Sequence, residues 1–385
     1  MKFEDVLGTQ VLVLDGAMGT MVQNLALDDS AFGGPAFKML TDLLIFSRPD
    51  DLEGIHLKYL QAGANLIETN TFGASPLRLA EFDFKDIDLT DIKAIPPELN
   101  LKESDYSAIT WHFNVEGCRI ARRAIDRYKA SPDYDGRPLF VAGSIGPSNY
   151  VLSKTEADLK KATWSQIVDN NKQQVLGLIE GGADVLLFET QQDILELKAS
   201  LIGAQKAFGE TGSRLPIIAQ VTVDNFSKMQ IFNTDIHAAY VAVQGMGISA
   251  FGINCNTGPE LMQKTVEKLS RVCRHPISIV PNAGQPVSED GKTCYKLQPE
   301  EMADYVERFV KESGVAIVGG CCGTTPDHIR ALSNRLKGVA PERTLPASKV
   351  YVSGPQEAVV LDSSQGLVRI GERLNVRGSK KVREA

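Results

Sequence analysis

Eight short runs rich in aliphatic and β-branched residues, at 11–17, 64–70, 139–145, 183–190, 216–223, 250–256, 276–282 and 315–320, alternate along the chain with amphipathic stretches. Strands joined by crossovers of helical length lie parallel, so the repeat predicts βα units around a parallel sheet. The runs are nearly continuous in apolar residues, as strands covered on both faces must be. The expected crossover helices lie at 49–61, 115–129, 163–180, 194–208, 234–246, 259–272, 299–312 and 326–336. Eight consecutive units fit a closed (β/α)8 barrel, the TIM-barrel form of the α/β class, better than an open doubly wound sheet. Gln61-Ala-Gly-Ala, Glu180-Gly-Gly-Ala-Asp and Ser313-Gly-Val each put glycine where a helix hands over to a strand.

Two longer segments interrupt the repeat, 28–48 and 83–110, and both are expected as long loops at the end of the barrel where the strands terminate. After Leu336 the chain continues as GVAPERTLPASKVYVSGP, which has no helical period and reads as a linker or a strand-like strap. The expected organisation is a barrel over residues 1–337, followed over 338–385 by a linker with the start of a second domain, or a tail.

With 385 residues, 43% of them hydrophobic, the chain can bury a large core. A formal net charge of -7 argues against nucleic acid or an anionic membrane as the main partner, because both want a basic face. The first apolar stretch is short and ends at Asp15, which does not read as a signal peptide, and no apolar run approaches the ~20 residues of a membrane span. A cytoplasmic location is expected. The six cysteines are then expected to be reduced rather than paired.

In a barrel of this class, chemistry gathers at the C-terminal ends of the strands. Cys255 ends the sixth run, and Cys321 and Cys322 end the eighth. Three thiolates on one rim offer three corners of a tetrahedral zinc site and leave the fourth open for water or substrate. Sulfur ligands also select a soft or borderline metal. The competing reading of a free cysteine is a small buried hydrophobe. That is the expectation for Cys118, Cys273 and Cys294, on helix or loop positions, and by itself the trio leaves both readings open.

Glu189 in Leu-Phe-Glu-Thr is a candidate for binding a substrate ammonium group, with a rim salt bridge as the plainer alternative. Asp15 either contacts substrate or fixes its own loop. The following Ala17, Gly19 and Thr20 could offer backbone N–H groups to a carboxylate. GAMGT does not have the spacing of a dinucleotide fingerprint. Ser144, Asn282 and Asn70, also at strand ends, are candidate substrate or supporting groups.

LDGAMGT, IETNTFGA, FET, GINCNTGP, PNAGQP and GGCCGTTPDHI occur in this order between Val11 and Leu336, and together they resemble the motifs of the homocysteine S-methyltransferases. Within that family, segment 28–49, the Glu-Leu-Met ending at Met262, and RIGERLN at 369–375 with Gly378-Ser-Lys look like the cobalamin-dependent methionine synthases. In those enzymes a folate-binding barrel follows. The resemblance implies zinc on Cys255, Cys321 and Cys322, homocysteine as the thiol, and Glu189 at its amino group. It also implies methylcobalamin as methyl donor, with a corrinoid-binding module and a folate-binding domain in cis or trans. The chain is expected to be the N-terminal piece of such an enzyme, or else a stand-alone subunit. Leu374 departs from the smaller polar residue typical of the family, and segment 83–110 is longer than the resemblance leads one to expect. A barrel-only methyltransferase using betaine or S-methylmethionine, and a non-catalytic zinc- or thiol-binding docking module, are the alternatives.

Overall fold

A computed structural model of the chain describes residues 1–152, 161–289, 292–362 and 366. Its main sheet comprises β1 (Leu12–Val13), β2 (Leu66–Glu68), β3 (Phe140–Ile145), β4 (Val185–Gln191), β5 (Ile217–Val221), β6 (Ala250–Asn254), β7 (Ile277–Val280) and β8 (Val315–Val318). All neighbours pair in parallel, in chain order from β2 to β8, with β1 beside β8. A bridge between Leu14 and Leu66 joins the ends, with the Asp15 N–H donating to the Leu66 carbonyl at 3.0 Å. The result is a (β/α)8 barrel.

The outer ring is α1 (Pro49–Ala62), α2 (Tyr106–Lys129), α3 (Trp164–Glu180), α4 (Ile194–Thr211), α5 (Ile236–Val243), α6 (Pro259–Val272), α7 (Pro299–Ser313) and α8 (Pro326–Leu336). Proline opens α1, α6, α7 and α8, where its missing N–H costs nothing. The largest departure from expectation is the start of α2, nine residues earlier than the apolar period indicated. Asp105 caps it, its carboxylate accepting from the Ala108 N–H at 2.8 Å, so the preceding loop ends at 105 rather than 110.

Side chains alternate along the strands. Leu12 and Leu14, Phe140 and Ala142, and Val185 and Leu187 turn into the barrel with Leu66, Ile218, Ala250, Val280 and Ile317, forming a core separate from the shell between strands and helices. Phe3 and Val6, in a short N-terminal helical turn, join this inner cluster, and Phe3 meets Phe140 edge-on at 5.6 Å. Two residues further along three strands, the same register brings Glu68, Ser144 and Glu189 to the mouth. Apolar filling below and polar groups above thus follow from one period-two pattern.

The two long segments are not loose covers. Phe37 of the first lies 5.9 Å from Phe82 and 5.6 Å from Phe84. The Asp88 N–H donates to Gly33 O at 2.9 Å and the Ala94 N–H to Phe46 O at 3.0 Å. Phe32, Phe84, Ile87, Ile92, Leu99 and Leu101 are buried, so segments 28–48 and 83–105 pack on each other and extend the apolar shell between strands and helices.

Beyond α8 the chain crosses the outside of the barrel. Arg343 donates to the carbonyls of Cys273 and His275 at 2.7 and 2.6 Å, just past the end of α6. A short antiparallel pair, Tyr351–Ser353 with Ala358–Val360, then lies along α5, where Thr234 Oγ1 donates to Pro355 O at 2.6 Å and the Asp235 N–H to Gln356 O at 2.8 Å. RIGERLN and Gly378-Ser-Lys lie outside the described residues. Among the described residues no helix is long and apolar enough to cross a membrane.

Two positions carry testable consequences. A Cβ on Gly252 would lie 1.7 Å from the Ser278 carbonyl oxygen of β7, so Gly252→Ala should push β6 and β7 apart and cost at least ~4 kcal/mol in urea unfolding. In the loop after β3, Ser148 donates through its N–H and Oγ to one oxygen of buried Glu196 at 2.7 and 2.6 Å. Burial nevertheless pushes this carboxyl up to about 7. A proton held more tightly by the folded than the unfolded chain stabilises at pH below the ordinary 4.5, and that contribution is lost as pH rises through about 7. The stability of Glu196→Gln relative to the parent should therefore improve between pH 5 and pH 8 by up to ~3 kcal/mol. A pH-independent difference would contradict this account.

Candidate metal centre and substrate pocket

At the end of β6 the backbone turns through two consecutive left-handed residues, Cys255 (φ 62°) and Asn256 (φ 65°). Such conformations are uncommon outside glycine and asparagine and need support from their surroundings. The Cys255 N–H donates to Val280 O at 3.1 Å and Asn256 Nδ2 to Val223 O at 2.9 Å. From the other side, β8 runs into Gly319-Gly320-Cys321-Cys322-Gly323. The Cys321 N–H donates to Pro281 O at 2.8 Å, and Cys322 O accepts from the Ala283 N–H at 2.9 Å. Gly323 (φ 79°) lies under the Tyr295 ring, where an added Cβ would come within 2.2 Å of that ring.

These turns bring three sulfurs together. Cys322 Sγ lies 3.8 Å from Cys255 Sγ and 4.0 Å from Cys321 Sγ, and all three fall within 4.8 Å of one another. Sulfurs at the corners of a tetrahedron around zinc, with Zn–S near 2.3 Å, stand about 3.8 Å apart. The trio therefore has the spacing and the chemistry for that ion, and its partial exposure leaves a side open. Hydrogen bonds from the Cys255 and Cys321 thiols hold the Cys322 thiol well below the usual thiol range.

Carboxylates share the mouth. Ser144 Oγ donates to Glu189 Oε1 at 2.5 Å. Asp15 Oδ2 accepts from the Glu68 N–H at 3.1 Å, while buried Asp15 Oδ1 has no hydrogen-bond partner among the described residues. Burial pushes Glu189 up to about 7, against the Ser144 hydrogen bond, and the charge of Cys322 adds to the shift. Burial likewise raises Asp15 and Glu68, and the charge of Glu189 raises both further. Buried like charges disfavour one another's ionised forms, and a cation among them reverses that.

The expected site residues fall into two groups. Cys255, Cys321 and Cys322 converge, and Glu189, Ser144 and Asp15 line the same mouth. Asn282 is buried on the loop that binds Cys322, with its Oδ1 unpaired among the described residues. Ala17 and Thr20 instead serve the cysteine loop: the Ala17 N–H donates to Thr324 Oγ1 and Thr20 Oγ1 accepts from the Gly323 N–H, both at 3.1 Å. The Ala17 N–H is thus committed within the protein, although the sequence suggested it for a substrate carboxylate. Gly19 is exposed with open space around it. Asn70 is buried, its Nδ2 donating to Thr41 O at 2.8 Å, and it anchors segment 28–48. Cys118 and Cys273 are buried as expected, but Cys294, expected to be buried, is half-exposed at the end of the strand Lys292–Cys294.

Sequence reasoning passed over Glu68, which shares the inward register of Leu66, and Tyr295, whose ring covers Gly323. The period-two pattern of β2 could have identified the first. Nothing local marks the second.

Replacing Cys255, Cys321 or Cys322 singly with alanine should drop bound zinc from about one per chain to well below that after dialysis, whereas Cys294→Ser retains it. Elemental analysis of the dialysed proteins decides, and undiminished zinc in all three variants would remove the assignment.

Residues 12–336 match the family model of homocysteine S-methyltransferase. The methionine synthases of Mycobacterium tuberculosis (strain ATCC 25618 / H37Rv) and Mycobacterium leprae (strain TN) are 38% and 36% identical over 386 and 389 residues. The matches cover 99% of this chain and 29% of each relative, so the chain spans less than a third of the length of these relatives. The metallated form of the Escherichia coli homocysteine methyltransferase MmuM shares the fold, with a TM-score of 0.64 and 23% identity over 85% of this chain and 96% of that one. The family model spans the barrel from β1 to α8 and takes in both cysteine motifs: this chain belongs to the homocysteine S-methyltransferase family.

Proposed function

We propose that the barrel binds zinc through Cys255, Cys321 and Cys322 and presents homocysteine as its thiolate for methylation to methionine. One observation carries this reading. Three thiols at zinc spacing share a barrel mouth with three carboxyls, buried Asp15 and Glu189 and half-buried Glu68, whose ionisation a cation would favour. An amino-acid thiol supplies both partners, sulfur for the metal and ammonium for the acids.

Zinc, when bound, supplies a Lewis acid that keeps the substrate sulfur deprotonated at neutral pH, where a free thiol is mostly protonated. The chain's own residues do the positioning. Glu189, oriented by the Ser144 hydroxyl, receives the ammonium group, with Asp15 and Glu68 adding negative potential behind it. The spare acceptor of Asn282 is a further hydrogen-bonding group for the ligand. Fixing sulfur and ammonium together aims the thiolate outward, toward a donor arriving from solvent.

The donor assigned here is methylcobalamin, presented by a corrinoid-binding module, with a folate-binding domain recharging it from methyltetrahydrofolate. Support comes from the likeness to methionine synthases over 99% of the chain. Exposed Phe72, Trp164, Leu195, Leu261 and Phe226, the last 73% exposed, all lie in strand-to-helix loops or first helical turns, the side of a barrel on which a partner would approach the site. Residues 338–385 then comprise a linker and the start of the folate-binding domain.

Zinc-loaded protein should form methionine from homocysteine with free methylcobalamin and not with betaine or S-methylmethionine. Turnover with either of the latter would transfer the chain to the barrel-only enzymes. Zinc binding without turnover on any donor would leave a docking module. Glu189→Gln should raise KM for homocysteine by about tenfold, equivalent to ~1.4 kcal/mol, with zinc content unchanged.

A further inference from the structure

We infer that Asn254 is a positioning residue that holds the Glu189 carboxylate in register with the three thiols by clamping Thr190. This rests on the reading of Glu189 as the ammonium site. Asn254, the last residue of β6, is buried at 1% exposure and lies directly before Cys255. Its side chain points along the rim to β4 rather than into solvent. Asn254 Oδ1 accepts from the Thr190 N–H at 2.7 Å, and Asn254 Nδ2 donates to Thr190 Oγ1 at 2.8 Å. A carboxamide offers one acceptor and one donor side by side, which matches the donor and acceptor that a threonine presents.

The clamp falls where the backbone needs it. Thr190 has φ 57°, in the left-handed region that a β-branched residue rarely enters. The pairing of β4 with β5 shifts register between Phe188 and Gln191, so Glu189 and Thr190 form an irregularity in the strand. Such bulges re-aim side chains at the ends of strands. The backbone of Asn254 is itself anchored, its carbonyl accepting from Thr222 Oγ1 at 3.0 Å, while the Thr222 N–H donates to Gln191 O at 2.9 Å. Three adjacent strand ends are therefore tied together around Thr190.

Without the clamp, Thr190 is free to relax toward the extended region. Because strand side chains alternate with a period of two, any flattening of the bulge rotates Glu189 away from its inward direction. Cys255 keeps its own backbone anchor on Val280, so the thiols are affected less than the carboxylate. Asn254 thus couples two halves of the site that are 66 residues apart in sequence, Glu189 and Cys255.

The test compares two ligands of zinc-loaded protein by calorimetry: homocysteine, and 4-mercaptobutyrate, which keeps thiol and carboxylate but lacks the amino group. The parent should prefer homocysteine. Asn254→Ala should lower homocysteine affinity about tenfold and leave both 4-mercaptobutyrate affinity and zinc content unchanged. The double variant Asn254→Ala/Thr190→Gly should recover part of the preference, because glycine adopts the left-handed conformation without a clamp. Should Asn254→Ala fold poorly, Thr190→Val removes the Oγ1 acceptor alone and should erode the same preference by a smaller factor. An unchanged preference in these variants, or parallel loss of both ligands and zinc, would overturn the inference while leaving the proposed function standing. A parent that binds both ligands equally would overturn the ammonium reading of Glu189, and the inference with it.

Discussion

Closure of the eight-stranded ring is the constraint on which the rest depends. Leu14 and Leu66 meet because every strand is tilted and paired in parallel, and parallel closure brings all eight C-terminal ends to one mouth. Residues far apart in sequence then become neighbours with no local signal: Asp15 with Glu68, Ser144 with Glu189, Cys255 with Cys322. Packing in the lower barrel makes this arrangement stiff. Phe3, Phe140, Leu187 and Ile317 fill the interior, each contributing roughly 1.5–3 kcal/mol by burial, so the polar layer above rests on a floor that does not yield.

That polar layer runs against the stability of the chain. Three carboxyls held near one another, two of them buried, two left-handed residues in the cysteine turn and a third at Thr190 are all arrangements a fold avoids without reason. Their concentration at the mouth is what marks the site, more than any single residue does. A zinc ion and an ammonium group would each neutralise part of the accumulated negative charge, and binding then recovers energy that the empty fold has given up.

How much was legible depends on the range of the interaction. Each of the eight runs became a strand, and helices 259–272 and 326–336 matched to the residue, because proline at the first position and the apolar stripe act locally. The start of α2 was missed because its first turns pack against segments 28–48 and 83–105 as well as the barrel, Tyr106 lying 6.3 Å from Phe84, so the amphipathic period there answers to distant segments. The cysteine motifs stood out as text, since two adjacent cysteines between glycines are rare. Glu68 was passed over although its two-residue spacing from inward Leu66 was legible, because a three-residue strand shows its alternation only once one inward neighbour is known.

The sequence by itself determined the repeat, hence the strands, the helices and the parallel barrel, because propensity, period and capping act over a few residues. It also named the three cysteines and Glu189, since each stands at the end of a strand run. Only the tertiary structure decided that the sulfurs stand 3.8 and 4.0 Å apart, that Ala17 and Thr20 brace the cysteine loop, and that Asn254 reaches across to Thr190. Those facts depend on strand stagger and rim backbone angles, which arise only when the ring closes and which no stretch of the chain encodes alone.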